Sequence, residues 1–206
     1  IGSGFAIAMR DLDIRGAGNL LGAEQSGFIS DIGFETYHKI LNEAMDEIRQ
    51  DCGQIQEDAT KRECVIETDL EILIPDKYIS NIVERLKIYK QLDTMESEKD
   101  LPLLQQSLED RFGTIPSQTL ELFQIVKLRM LAKRVYVEKI SINQNKMTVT
   151  FNSQSNAFER IMLYVQSFPS QCSLVEQDEK LILNIKSINN LDEAIKVLTY
   201  LQEEKC

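Results

Sequence analysis

Residues 137–206 state one pattern twice, and that repetition constrains the fold more than any other feature of the chain. Val137 to Asn143 and Lys146 to Asn152 alternate apolar with polar residues (Ile140 and Ile142; Met147, Val149 and Phe151) on either side of Asn-Gln-Asn-Lys, the period-two signature of a hairpin. Asn156 and Glu159 then stand in capping-box register and predict a helix with Phe158, Ile161, Met162 and Val165 turned inward. Cys172 to Gln177 and Lys180 to Ile185 repeat the hairpin around Asp-Glu-Lys. Asn190 with Glu193 caps a final helix carrying Leu191, Ala194, Ile195, Leu198 and Leu201. Two hairpins and two one-sided helices bury their apolar faces together when the helices lie on one face of a shared sheet. The expectation is an α+β domain, a small mostly antiparallel sheet packed with helices.

Upstream, Pro102 is tolerated only in the first turn of a helix, which makes Asp100 the expected N-cap. Leu104, Leu108 and Phe112 form that helix's apolar edge, Gly113 suits a left-handed C-cap, and Pro116 prevents continuation. From Pro116 to Val135 the apolar residues Leu120, Leu122, Phe123, Ile125, Val126, Leu128, Met130 and Leu131 wrap most of a helical circumference, predicting the most buried helix. Its basic residues, Lys127, Arg129, Lys133 and Arg134, gather toward the C-terminal end, where the helix dipole favours them. Val65 to Ile74 alternates as a strand broken by Pro75. Ile79, Ile82, Val83, Leu86, Tyr89 and Leu92 mark a further helix, with Glu-Arg-Leu-Lys-Ile-Tyr-Lys-Gln-Leu supplying its charged outer face.

Between Asp51 and Glu63 periodicity disappears, and residues 53–63 read as a linker. Before it, Phe5, Ala8, Met9 and Leu12 fit a short helix, and Phe34, Tyr37, Leu41, Met45 and Ile48 form a helical stripe from about Gly33 to Gln50. Joining them is DLDIRGAGNLLGAEQSG, residues 11–27, with Gly16, Gly18, Gly22 and Gly27 around Arg15 and Gln25. It is not a phosphate-binding P-loop, and Gly16, Gly18 and Gly22 miss the dinucleotide fingerprint by one residue after a helix rather than a strand. Asp11 and Asp13 are two apart and diverge on a helix, so with Glu24 and Asp31 they read as solvated charges, not Mg²⁺ ligands. Cys52, Cys64, Cys172 and Cys206 form no C-x-x-C pair, and the single His38 has no ligand or nucleophile motif around it. Neither a metal site nor a disulfide framework is expected.

Charge excludes a further class. Residues 1–60 carry four Lys/Arg against eleven Asp/Glu, and residues 61–206 nineteen against twenty-two. Neither half has the basic excess of an autonomous nucleic-acid binder. No apolar run reaches the roughly 18 residues of a membrane span, and no charged-then-apolar leader stands at the start, so a cytoplasmic location without membrane contact is expected. The start at Ile1, without Met, suggests a fragment of a longer protein. For residues 11–27 two readings remain. Glycines that permit close backbone approach can let Arg15 hold a phosphate and Gln25 add a neutral contact, gripping a polymer backbone without reading bases. Alternatively Arg15 pairs with Asp11 or Asp13 and the glycines only make turns.

Residues 2–41, GSGFAIAMRDLDIRGAGNLLGAEQSGFISDIGFETYHKIL, resemble the translocation motif shared by the bacterial transcription-repair coupling factors and the related branch-migrating helicases. IPDKYISNIVERLKIYKQL (74–92) and LEDRFGTIP (108–116) resemble the C-terminal domain of the coupling factors in particular. The resemblance implies that residues 1–52 are a helical hairpin and helix from the end of a RecA-like motor lobe, and 64–206 a C-terminal regulatory α+β domain. It implies that Arg15 and Gln25 couple ATP-driven lobe closure to movement along double-stranded DNA, with Gly16, Gly18, Gly22 and Gly27 shaping the loop. The parent would be a superfamily 2 helicase-like ATPase, using ATP and Mg, that displaces stalled RNA polymerase at lesions and recruits the excision-repair damage sensor UvrA through other domains. Residues 64–206 would mask the N-terminal repair-recruitment domain, with Glu109 and Asp110 in the contact. The ATP-binding lobes lie outside this chain, so no catalytic residue and no cofactor is expected within it. The rival expectation is a protein-interaction adaptor that does not touch DNA.

Overall fold

Both predicted hairpins form, and they join through their inner strands into one sheet. The computed structural model describes residues 33, 34, 37, 64–152, 155, 157–178 and 180–202. Strands β1 (Val65–Thr68), β2 (Val137–Asn143), β3 (Lys146–Phe151), β4 (Cys172–Gln177) and β5 (Lys180–Lys186) lie in the order β1-β2-β3-β5-β4. β1 runs parallel to β2, and every other pairing is antiparallel. The parallel pair requires a long crossover, which is supplied by helices α1 (Ile82–Asp93), α2 (Asp100–Phe112) and α3 (Ser117–Arg134). Helices α4 (Phe158–Ser167) and α5 (Leu191–Gln202) follow the two hairpins. The α+β architecture is the one expected from the repeat.

Register places the alternating residues in rows. Ile140 faces Val149 and Val149 faces Leu183, while Ile142, Met147 and Ile185 form the next row; all six are buried. Their neighbours Ser141, Thr148, Thr150 and Asn184 point to the other face and are half-buried, with the Thr148 hydroxyl bonded to Asn184 Oδ1 at 3.0 Å. The first hairpin turns on Gln144 and Asn145, both at positive φ (50° and 59°), as a twist-matched two-residue turn requires.

Against this sheet packs α3, whose Leu122, Ile125, Leu128 and Ala132 are wholly inaccessible to solvent. It is the central helix, as its wrap-around apolar pattern predicts, although Leu120 lies on its exposed side. Arg160 of α4 donates to the carbonyl of Gln202 at 2.6 Å, satisfying a terminal acceptor of α5 where a cation is favoured. At the other end of α5, Asn190 Oδ1 accepts from Glu193 N at 2.9 Å, and Glu193 Oε2 accepts from Asn189 N at 2.7 Å. The capping pair therefore forms, with the glutamate reaching one residue further back than in the usual box. Asn190→Ala should cost about 1 kcal/mol, the ordinary value of a lost N-cap, measurable by urea unfolding; a cost near zero would show that the cap is not needed there.

Several local expectations are overturned. β1 stops at Thr68 instead of reaching Ile74. Asp100 is the first residue of α2, and the cap position is held by Lys99 without a side-chain bond. The preceding turn is tied by Ser97, whose carbonyl accepts from Asp100 N and whose hydroxyl accepts from Lys99 N. Gly113 has φ +82° but ψ −161°, an extended mirror-image conformation open to glycine and not the left-handed helical one. Phe158 and Met162 are exposed, at 52% and 36%. α4 buries Ile161 completely, whereas the flank bearing Phe158 and Met162 is exposed among the described residues. Asn156 lies outside the described residues; Ser155 Oγ accepts from Ala157 N at this helix start. Arg85, read as part of a charged outer face, is 4% exposed because its guanidinium donates to the carbonyls of Ile79 and Ser80.

Candidate functional site

Arg15, Gln25, Gly16, Gly18, Gly22 and Gly27 lie outside the described residues. The nearest described part of that region is Gly33, Phe34 and Tyr37, which the sequence places at the start of an amphipathic helix. Phe34 and Tyr37 are helical and buried in one core with residues from 64–206.

The slot that holds them is built by the segment following β1. Phe34 N donates to Ile72 O at 3.1 Å, the Leu73 carbonyl accepts from the Thr119 hydroxyl at 3.2 Å, and Ile74 N donates to the Tyr89 hydroxyl at 2.9 Å. These bonds explain why the strand ends early: the backbone of 72–74 is satisfied by partners outside the sheet. Gly33 eases the approach, since a Cβ there would stand 3.2 Å from Ile72 O, a tight contact. Tyr89 of α1 meets both aromatic residues, with ring centroids 5.7 Å from Phe34 and 5.6 Å from Tyr37. The Arg129 guanidinium of α3 lies 5.1 Å over the Phe34 ring, within cation–π range. Tyr37 is the imperfect member. Its hydroxyl is buried with no hydrogen-bond partner among the described residues, and burial, then the charge of Asp93, push its pKa up to about 12.

The other predicted contact, Glu109 and Asp110, occupies the C-terminal end of α2, and both residues are exposed. An anion is disfavoured there by the helix dipole, and among the described residues neither carboxylate has an ion pair. Their neighbourhood is ordered. Tyr78 donates to the carbonyls of Leu108 at 3.2 Å and Gly113 at 3.1 Å, and its pKa is raised by burial and then by Glu109. Arg111 pairs with Glu84 of α1 and lies 4.7 Å over the Phe112 ring; the hydrogen bond from Arg111 holds the Glu84 carboxyl below its ordinary value. Seven residues before Asp110, and so on the same side of α2, Leu103 is 66% exposed. Sequence reasoning passed over Leu103, although its offset from the buried Leu101, Leu104 and Leu108 is legible on a helical wheel. Two exposed acids, with an exposed leucine two turns earlier on the side of Asp110, are suited to a basic, partly apolar partner surface.

Among the described residues no group of three or more His, Cys, Asp or Glu side chains is placed to hold a metal ion. Cys64 and Cys172 are buried, and burial raises the Cys172 pKa, which disfavours a thiolate nucleophile. His38, Cys52 and Cys206 lie outside the described residues. No described helix is long and apolar enough to cross a membrane.

Residues 68–161 match the family model described as the TRCF domain. Over 91% of its length the chain is 32% identical to the transcription-repair-coupling factor of Bacillus subtilis, of which it spans 16%. Over 76% of its length it is 35% identical to the protein of the same name from Escherichia coli, of which it spans 14%. The fold is similar to the crystal structure of a C-terminal domain of transcription-repair coupling factor, with a TM-score of 0.58 and 22% identity over 69% of this chain and 89% of that one.

Proposed function

Because the chain belongs to the transcription-repair coupling factor family, we propose that it works as part of an ATP-dependent double-stranded DNA translocase that displaces stalled RNA polymerase and recruits excision repair. In this reading residues 11–27 are the transmission element. Arg15 makes a charge-assisted contact with a DNA phosphate and Gln25 a neutral one, a grip weak enough to release in each ATP cycle. Residues 64–206 restrain the parent by covering the surface that recruits the damage sensor UvrA. ATP and Mg act in motor lobes outside this chain.

The observation that supports the regulatory role is the end of α2, where Glu109 and Asp110 stand exposed at an unfavourable helix terminus, with Leu103 exposed two turns earlier on the side of Asp110. A cationic partner relieves the dipole conflict and covers the leucine. Reversing both charges (Glu109→Lys with Asp110→Lys) in the full-length protein is expected to leave the fold intact and raise damage-sensor binding at least several-fold. Binding by titration and melting by circular dichroism check this. Unchanged binding by a normally folded variant would remove this surface from the contact.

A further inference from the structure

We propose that the open face of the sheet is a further contact for duplex DNA, in which Lys146 and Lys186 hold the phosphate backbone and Asn184 adds a neutral donor. The contact is weak, independent of base sequence and separate from residues 11–27.

Three observations carry this. The face is open: the buried residues of β2, β3 and β5 all lie on the side turned to α3, and on the opposite side no described strand residue is buried. Its charge runs against that of the chain. Lys139, Lys146, Lys180 and Lys186 all stand on it, in a protein of net charge −10. Two of them are neutralised by glutamates of other strands, Lys139 by Glu67 at 2.8 Å and Lys180 by Glu138. Lys146 and Lys186 are not. They face each other directly across the β3–β5 ladder, both exposed, and neither has an ion pair among the described residues. Like charges so placed repel, and a phosphate between them turns that repulsion into attraction. The third observation is a donor held ready. Asn184, about 7 Å along β5 from Lys186 on the same face, accepts the Thr148 hydroxyl on its Oδ1, which leaves Nδ2 without an acceptor among the described residues.

The chemistry of the face identifies the partner. Ser141 and Ser173 extend the row of Thr148 and Asn184 across β2 and β4, so a row of hydroxyl and amide groups lies beside the lysine pair. Such groups contact phosphate and sugar, whereas a protein partner is held by an apolar centre. The apolar Ile182 and Val175 stand one row further on, in line with Lys139. No described strand residue on this face is aromatic, so an unpaired base has nothing to stack on and a duplex is the better fit. That the duplex is DNA rests on the translocase reading above; the phosphate contact does not.

Titration of the intact 206-residue chain with a short DNA duplex of arbitrary sequence at low salt, followed by amide resonances, tests the proposal. Lys146, Thr148, Asn184 and Lys186 are expected to shift, with affinity falling roughly tenfold between about 50 and 200 mM salt, as release of about two counterions requires. Lys146→Gln with Lys186→Gln should weaken binding at this face by about tenfold or more without lowering the melting temperature, because it also removes a repulsion. Lys139→Gln with Glu67→Gln removes a neutral pair and should leave binding unchanged. In Arg15→Ala with Gln25→Ala any binding through residues 11–27 is lost, so sheet shifts that persist there belong to the sheet, whether or not the translocase reading holds. Sheet resonances that stay still at low salt, or that move equally in the double-lysine variant, overturn the proposal. Loss of the sheet shifts in the Arg15 and Gln25 variant overturns the separateness of the contact. Polyglutamate that shifts the same resonances as strongly overturns the assignment to nucleic acid in favour of an acidic protein, and equal binding of single-stranded DNA overturns the duplex.

Discussion

In the full-length protein, replacing Arg15 and Gln25 together by alanine is expected to reduce RNA polymerase displacement by about 100-fold or more while nucleotide binding stays unchanged. Hydrogen bonds to charged groups are worth about 1.5–3 kcal/mol each, and Gln25 adds a contact of the same kind to a phosphate. Losing both removes roughly 3–5 kcal/mol of grip, and 1.4 kcal/mol corresponds to tenfold. The split between readouts is the informative part. A translocase that binds and hydrolyses ATP but fails to move has lost its transmission, whereas an adaptor that never touches DNA has nothing to lose. Displacement kinetics on a stalled elongation complex, with nucleotide affinity measured in parallel, decide between them, and normal displacement by the double variant would leave the adaptor reading standing. Conservative Arg15→Lys should recover part of the rate, because the charge remains while the bidentate fork is lost.

The second large effect concerns stability. Phe151 ends β3, the middle strand of the sheet, facing Val137 on one side and Leu181 on the other, and it is wholly buried. Phe151→Ala should cost about 3–5 kcal/mol, the transfer energy of the ring plus the cavity left behind. In a chain of this size that lowers the melting temperature by roughly 10 °C. Phe158 is the control. It lies on the exposed flank of α4, 52% exposed, and Phe158→Ala should change stability by no more than about 0.5–1 kcal/mol. Denaturant unfolding with a shared slope measures both. Equal losses would mean that the two aromatic side chains share one environment, contrary to the structure.

The same two residues show why sequence legibility stops where it does. Phe151 was readable because strand periodicity has only two faces, and one of them in β3 reads Met147, Val149, Phe151 without exception. Phe158 was misread because helical periodicity gives a sector, not a boundary. The apolar sector of α4 is wider than the surface available to cover it, and that surface is decided by α5 and the sheet. Arg85 failed for the opposite reason: a charged residue reads as solvent-facing unless the carbonyls that receive it are known, and those of Ile79 and Ser80 converge only once α1 has formed. At the proposed contact, Glu109 and Asp110 are legible from the motif around them, and the structure adds their exposure and that of Leu103 two turns earlier.

By itself, then, the order of residues determined the elements and their class. The twofold hairpin and helix pattern dictated a mostly antiparallel sheet with helices, the run from Pro116 to Val135 named the central helix, and the glycine-flanked Arg15 and Gln25 identified the stretch to test. These follow from interactions within a few residues: period, cap and turn. The tertiary structure decided what short-range chemistry leaves open. It set the parallel docking of β1 on β2 across three helices, the early end of β1 where 72–74 bond elsewhere, and the burial of Phe34 and Tyr37 against Tyr89 and Arg129. Each of those depends on groups 15 or more residues apart, whose meeting is settled by closing one shared core and not by any local preference.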